Sequence, residues 1–502
     1  MKVFITGSTG GMGFESLKQL LKENIVDVIL LARDSEKNHN ILKKYKNHER
    51  VEIHWGDLED YQVVYDCVKK AELVLHIAAF VSPAADYFPK KAMKTNYGST
   101  RNIIKAIFEQ GRQEQVKFVY IGTVAETGDR LPPIHWGRVG DPIKPSMFDY
   151  YAVSKVAAER LVIESGLKYW VSLRQTGIMG PAMSRIQDAI MFHNCFNNVL
   201  EFVSDRDSGR LMNNLCKREA NRDLEEDFWC HIYNIGGGES CRIPSYQLYK
   251  NLYATIGLTK LEKVLNPKWQ ATLNFHGQYY LDSDKLENYF HFRHDGMQYY
   301  YDEFKKELGA TAILSRIICK FPGGQRLMGS ILKRMFKKLA LTEHGTAKFI
   351  NEIMEEHIEA YWGSKKKWEE IPEDMCKINL FSDWDKVVKI DHGYNEEKPE
   401  NQLDLEDVVG AAKFRGGLCL SKTMIKGDWN TKLEWKCTFA HEFKASPRLV
   451  LEGGHWCPEC ERKSWNYARR SIRDPFFAQV WEPLHEINET REYPKMVTEL
   501  DI

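Results

Sequence analysis

The first thirteen residues constrain the fold most. The strand-like run Lys2-Val3-Phe4-Ile5 leads directly into Thr6-Gly7-Ser8-Thr9-Gly10-Gly11-Met12-Gly13, and a helical pattern follows over 15–23. Glycines at 7, 10 and 13 let the backbone turn tightly, approach a pyrophosphate and pack helix against strand, while the helix start offers free N–H groups to phosphate. Gly7, Thr9, Gly10, Gly11, Met12 and Gly13 are therefore the expected phosphate loop. Further apolar runs at 28–31, 51–54, 73–78 and 118–121 alternate with helical patterns such as 100–109. That alternation predicts an α/β fold of Rossmann type, a doubly wound parallel sheet with helices on both faces.

The second strand ends Leu30-Leu31-Ala32-Arg33-Asp34-Ser35. A carboxylate at this strand end takes the ribose hydroxyls of NAD(H), whereas an arginine accommodates the 2′-phosphate of NADP(H). Ala32 stands at the acidic position and Arg33 follows it, so NADP(H) is favoured over NAD(H). The alternative has Arg33 as a solvated loop cation and Asp34 on the ribose. Downstream, Tyr151 and Lys155 are four residues apart, on one face of a helix. A phenol is a poor base at neutral pH, and a neighbouring ammonium lowers its pKa enough for proton exchange with a carbinol or carbonyl. Tyr150 does not fit this role, because Ser154 lies four residues on.

Together the two motifs resemble the extended short-chain dehydrogenase/reductase family, of the epimerase/dehydratase-like and 3-beta-hydroxysteroid dehydrogenase-like kind. Further segments match it in order: Gly56-Asp57-Leu58, His76-Ile77-Ala78-Ala79, Thr95-Asn96-Tyr97-Gly98-Ser99-Thr100, Ile121-Gly122-Thr123, Ser172-Leu173-Arg174 through Pro181, and Tyr233-Asn234-Ile235-Gly236-Gly237-Gly238. The resemblance covers about residues 1–300 and is densest to 181. It implies hydride transfer with Tyr151 as general acid/base, Lys155 tuning it and holding the nicotinamide ribose, and Thr123 bonding the substrate oxygen. It implies Asn96 in a catalytic or partly structural role, Asp57 and Leu58 at the adenine, and Ala78 and Ala79 lining the cofactor. Sugar dehydratases of the family follow the threonine with Asp-Glu, and here Val124-Ala125 follow, so dehydration loses its acid and base. A net NAD(P)-dependent oxidoreductase is the expected activity. A nucleotide-sugar epimerase and a non-catalytic NADP-binding sensor are the alternatives.

A chain of 502 residues divides into two to four domains. The expected boundaries are a dinucleotide-binding domain at 1–183 with a return segment at 227–258, a substrate lobe at 184–308, a basic segment at 309–342 and an accessory domain at 343–502. Lys+Arg and Asp+Glu are both 70, so no global field attracts nucleic acid. No apolar run of about 18 residues is present, and the N-terminus opens as a strand rather than a signal peptide, so a cytoplasmic location is expected. Eight of the eleven cysteines are scattered singly and read as buried small hydrophobes. Aromatics such as Phe192, Phe196, Phe228 and Trp229 in the substrate lobe read first as core.

Residues 309–342 contain seven cations and no acidic residue, and 325–341 repeats apolar residues at helical spacing. Such a helix either docks on the core or lies in a membrane interface, at the inner surface, where it would suit a lipid-like or steroid-like substrate. Near the C-terminus, Cys437-x3-His441 and Cys457-x2-Cys460 are separated by fifteen residues. Three thiolates and an imidazole close a tetrahedral zinc site of the treble-clef or ribbon type, over about 433–462, with structural Zn and no open position. His455 is the alternative fourth ligand, and a redox Cys-x2-Cys pair the alternative chemistry. Arg469, Arg470 and Arg473 follow, but the acidic residues around the knuckle disfavour nucleic acid. A small-molecule substrate and a homodimer complete the expectations.

Overall fold

The computed structural model describes residues 1–184, 188–486 and 489–502. Seven strands, β1 (Lys2–Thr6), β2 (Asp27–Ala32), β3 (Val51–Trp55), β4 (Leu73–His76), β5 (Lys117–Thr123), β6 (Trp170–Gln175) and β7 (His231–Ile235), form one sheet in the order β7-β6-β5-β4-β1-β2-β3. Every pairing is parallel. The order reverses between β1 and β4, which opens a crevice at the carboxyl ends of those strands.

Both faces of the inner sheet are covered, so β1, β2 and β4 are almost continuously apolar, whereas the edge strand β3 alternates and is half-buried. On one face Val3, Ile5, Val28 and Leu30 pack with Leu17 and Leu20 of α1 (Gly11–Leu20) and with Leu211, Met212 and Leu215 of the helix Asp205–Asn221. The residues between them, Phe4, Ile29 and Leu31, face Val64 and Val68, Ile103 and Ile107, and Ala158 and Val162 on the other side. The last pair belongs to the helix α2 (Tyr150–Ile163). Each buried Leu, Ile or Val contributes roughly 1.5–3 kcal/mol of transfer free energy.

Side chains from beyond residue 343 pack into this core. Leu403, Val408, Trp435, Leu449, Val450 and Trp456 continue the apolar cluster that begins at the sheet. Tyr467, Phe476, Phe477 and Trp481 cluster with Tyr150 and Val153 of α2. After the basic segment come two short helices, Thr346–Asn351 and Glu355–Trp362, with Ile353 in a left-handed conformation (φ 54°) between them.

The basic segment forms two helices, Ala310–Lys320 and Gly324–Ala340. The apolar positions of the second are divided: Leu332, Phe336 and Ala340 dock on Phe192, Leu258 and Leu261, while Leu327, Ile331 and Met335 stay exposed. Among the described residues, no helix is long and apolar enough to cross a membrane. Phe192 and Phe196 lie in that docked cluster, and Phe228 and Trp229 in the core beneath β7, so these aromatics are core residues. Of the single cysteines, Cys67, Cys195, Cys216, Cys241 and Cys319 are buried; Cys230 and Cys419 are half-buried and Cys376 is exposed, unlike the sequence expectation.

Candidate active site and metal centre

Gly7 and Gly13 are held by contacts that admit no side chain. Gly7 has φ 74°, and a Cβ there would lie 2.8 Å from the Ala78 nitrogen; one on Gly13 would lie 2.2 Å from the Gly7 carbonyl oxygen. The Gly10 N–H donates to the Gly7 carbonyl at 3.0 Å, closing the turn. Helix α1 starts after Gly10 with no side-chain cap, so its first-turn N–H groups face outward. Thr9, Gly10 and Gly11 lie at the surface of the loop, whereas the Met12 side chain is core, leaving only its backbone to the loop. The Ser8 hydroxyl is buried and has no partner among the described residues. A glycine cradle, a bare helix start and an unspent hydroxyl fit a dinucleotide pyrophosphate.

The rest of the crevice is braced from behind. Thr6 Oγ1 accepts the Ala78 N–H (3.0 Å) and meets His76 Nδ1 (2.9 Å), and His76 Nε2 meets Thr100 Oγ1 (3.0 Å). Burial holds the His76 imidazole neutral, its pKa pushed down to about 3. Ala79 follows in the same half-buried turn. At the end of β2, Arg33 is exposed, and the Asp34 carboxylate lies 2.7 Å from His39 Nε2. Asp57 is exposed just beyond β3 and accepts the Glu59 N–H, and the Leu58 carbonyl accepts from Asn102.

Tyr151 and Lys155 rise from α2, whose start is capped by Asp149 accepting the Ala152 N–H at 2.8 Å. Thr123 ends β5, and its side chain lies close enough to the Tyr151 phenol to favour the phenolate. Burial pushes the Tyr151 phenol above its ordinary pKa, and the Thr123 side chain pulls the other way. Lys155 Nζ donates to the Ile121 carbonyl at 2.6 Å and sits 4.0 Å from the Tyr120 ring centre. Burial brings the ammonium down to about 8, against the pull of Glu126 and Glu159. The Asn96 amide donates to the Phe80 carbonyl (3.0 Å) and Ser154 Oγ (2.9 Å), and its oxygen accepts the Phe80 N–H (2.7 Å). It ties the loop after β4 to α2.

Two sets of buried ionisable groups escaped the sequence reading. Glu126 accepts the Thr123 N–H at 3.0 Å, completing a capping box whose Thr-x-x-Glu spacing was visible in the sequence. Arg174 bridges Glu126 (3.2 Å) and Glu159 (2.7 Å), and His455 Nε2 lies 2.9 Å from Glu159. Against the push of burial, Arg174 and His455 hold the Glu159 carboxyl well below its usual range, while burial and Glu159 push Glu126 well above. This pairing carries no local signature, because its members come from four separate segments. The second set is Asp86 and Asp149 at the start of α2. Asp86 accepts the Tyr151 N–H (3.1 Å), and burial, then the Asp149 carboxylate, push its pKa up to about 8.

In the C-terminal third, Cys437 leaves the strand Leu433–Lys436, and a turn through Ala440 (φ 64°) returns His441 to the antiparallel strand Glu442–Ala445. Cys457 caps the helix Pro458–Lys463, which carries Cys460. His441 Nδ1 lies 3.5, 3.5 and 3.4 Å from the sulfurs of Cys437, Cys457 and Cys460, and Cys437 and Cys460 sulfurs are 3.8 Å apart. Metal bonds of about 2.3 Å to sulfur and about 2.05 Å to nitrogen at tetrahedral angles require edges of about 3.8 and 3.5 Å. The four ligand atoms are thus spaced for one tetrahedral ion. His455, engaged with Glu159, is not among them.

Residues 3–208 match the model of the NAD dependent epimerase/dehydratase family. That span, under half of the chain, contains the glycine loop, Thr123, Tyr151 and Lys155, and excludes the Cys/His cluster. UDP-glucose 4-epimerase from Rickettsia typhi is 30% identical over 109 residues, 21% of this chain and 32% of that protein. A hybrid PKS-NRPS synthetase from Thermothelomyces thermophilus is 30% identical over 208 residues, 36% of this chain and 5% of that protein. The chain thus spans about a third of the length of the curated epimerases it matches. Among solved structures, dTDP-glucose 4,6-dehydratase from Bacillus anthracis in complex with NAD covers 61% of this chain and 97% of its own, at 16% identity and a TM-score of 0.47.

Proposed function

We propose that the chain is an NADP(H)-dependent oxidoreductase that transfers hydride on a hydroxyl/carbonyl substrate, with a structural zinc in its C-terminal third. The observation that carries the first half is that Tyr151 and Lys155 lie one turn apart on α2, with Thr123 at the end of β5 near the phenol and Lys155 anchored on the Ile121 carbonyl of β5. The cofactor supplies or accepts the hydride when bound. Gly7, Thr9, Gly10, Gly11 and Gly13 hold its pyrophosphate, with Met12 contributing backbone only. Asp57 and Leu58 flank its adenine, and Ala78 and Ala79 line its path. Thr123 fixes the substrate oxygen against the phenol, Tyr151 gives or takes the proton there, and the Lys155 cation favours the phenolate. Asn96 positions α2 and does not exchange protons. Cys437, His441, Cys457 and Cys460 use every zinc position, so the metal supports structure and does not activate water.

The preference for NADP(H) rests on Arg33, exposed at the end of β2 while Asp34 is engaged by His39. Arg33→Ala is expected to weaken NADPH by about 1–3 kcal/mol, the scale of a charge-assisted hydrogen bond. NADH binding stays within about two-fold. Fluorescence titration of both cofactors checks this, and equal losses would show that Arg33 does not read the phosphate. The similarity to UDP-glucose 4-epimerases favours a second reading, a nucleotide-sugar epimerase. That reading requires a nicotinamide cofactor retained through turnover, so its release on denaturing the purified protein separates the two.

A further inference from the structure

The helices Ala310–Lys320 and Gly324–Ala340, joined at Phe321-Pro322-Gly323, leave one side without a partner among the described residues. Ala312, Ser315 and Cys319 of the first, with Leu332, Phe336 and Ala340 of the second, are buried on the protein side. Ile313, Leu314, Ile317, Phe321, Leu327, Ile331, Met335 and Leu341 are 42–66% exposed. Leu327, Ile331 and Met335 recur every four residues and form a single row. These eight are among twenty exposed large apolar residues in the described chain, so two-fifths of them crowd into 29 positions. Solvated surfaces scatter such residues singly, and a contiguous patch marks a binding surface.

The charge around the patch identifies the occupant. Arg316, Lys320, Arg326, Lys333, Arg334, Lys337 and Lys338 lie in the same two helices, and no acidic residue occurs from 309 to 342. None of the seven forms an ion pair with a described residue, although the chain as a whole has zero net charge. Apposing a second copy would bring cations against cations. Nucleic acid would leave the apolar row in water. A surface presenting negative head groups above hydrocarbon satisfies both features, and a helix pair too short and too charged to span it lies in its plane. We propose that the hairpin 310–341 is a monotopic membrane contact that docks this protein on anionic phospholipid bilayers.

The test is co-sedimentation of the full-length chain with vesicles of phosphatidylcholine containing about 30% phosphatidylserine, and with phosphatidylcholine alone. Binding is expected to the anionic vesicles and to weaken as salt rises. The triple variant Ile317→Asp, Leu327→Asp, Ile331→Asp changes only exposed positions, and is expected to lose about ten-fold or more in partitioning at an unchanged melting temperature. Lys333→Glu, Arg334→Glu, Lys337→Glu, Lys338→Glu is expected to lose as much on anionic vesicles. The proposal is overturned if the wild type stays in solution or if both variants partition as it does. Self-association in sedimentation velocity, without vesicle binding and abolished by the apolar variant, would assign the face to a second copy and equally overturn it.

Discussion

Tyr151→Phe is expected to lower hydride transfer by about 10²–10⁴-fold, the range for losing a positioned general acid/base. Dinucleotide affinity should change by less than about three-fold, because the phosphate cradle is built from residues 7–13 and none of its contacts involves Tyr151. The substitution removes one hydroxyl from a side chain that lies near Thr123 and leaves the ring and α2 in place. Turnover is followed by cofactor absorbance on any carbonyl or carbinol that the wild type converts. Tyr150, one residue earlier, is a useful control: its hydroxyl accepts the Met496 N–H at 3.0 Å, so Tyr150→Phe should cost stability of about 1 kcal/mol and little turnover. Equal activity in wild type and Tyr151→Phe would remove the phenol from the mechanism.

The other large effect is in the C-terminal third. Elemental analysis of the wild type should give one zinc per chain, falling toward zero in Cys460→Ser. Structural zinc contributes about 10–16 kcal/mol of binding free energy in small domains, coupled to folding. Here the loss spreads, because the helix of Cys460 carries Glu461, which pairs with Arg160 on α2, and because Trp456 and Cys457 sit in the core shared with the sheet. A lowered melting temperature is therefore expected, with catalysis falling as α2 loosens. A variant that loses zinc and all turnover, yet keeps its melting temperature and NADPH affinity, would place the metal in the chemistry instead.

The parallel sheet and the pairing of Tyr151 with Lys155 were legible because their signals are local, whereas Thr123 was reached only through the family segment around it. Strand and helix periods are written in consecutive residues, glycine spacing reports a backbone path, and a four-residue interval on a helix is a distance. The Cys/His cluster was legible for the same reason, as two short ligand pairs. What the sequence hid is what depends on distant segments meeting. Nothing near Glu159 announces Arg174, Glu126 and His455 around it. The division of the 324–340 apolar stripe into a docked row and an exposed row depends on where Phe192 and Leu258 stand. Asn96 matched a family segment, yet its hydrogen bonds to Phe80 and Ser154 make it a brace, which only the tertiary arrangement reveals.

The central claim is that the strand–glycine loop–helix at the N-terminus binds a nicotinamide dinucleotide for chemistry at Tyr151. Titration of the purified chain with NADPH and NADH, followed by nicotinamide fluorescence, tests it without knowing the substrate. Saturable binding of one NADPH per chain is expected, tighter than NADH, and lost in Gly13→Val, whose side chain must collide with the Gly7 carbonyl. The melting temperature of Gly13→Val decides whether the loop alone is affected. No saturable binding of either cofactor to the folded wild type, or the same affinity in a folded Gly13→Val, would contradict the account.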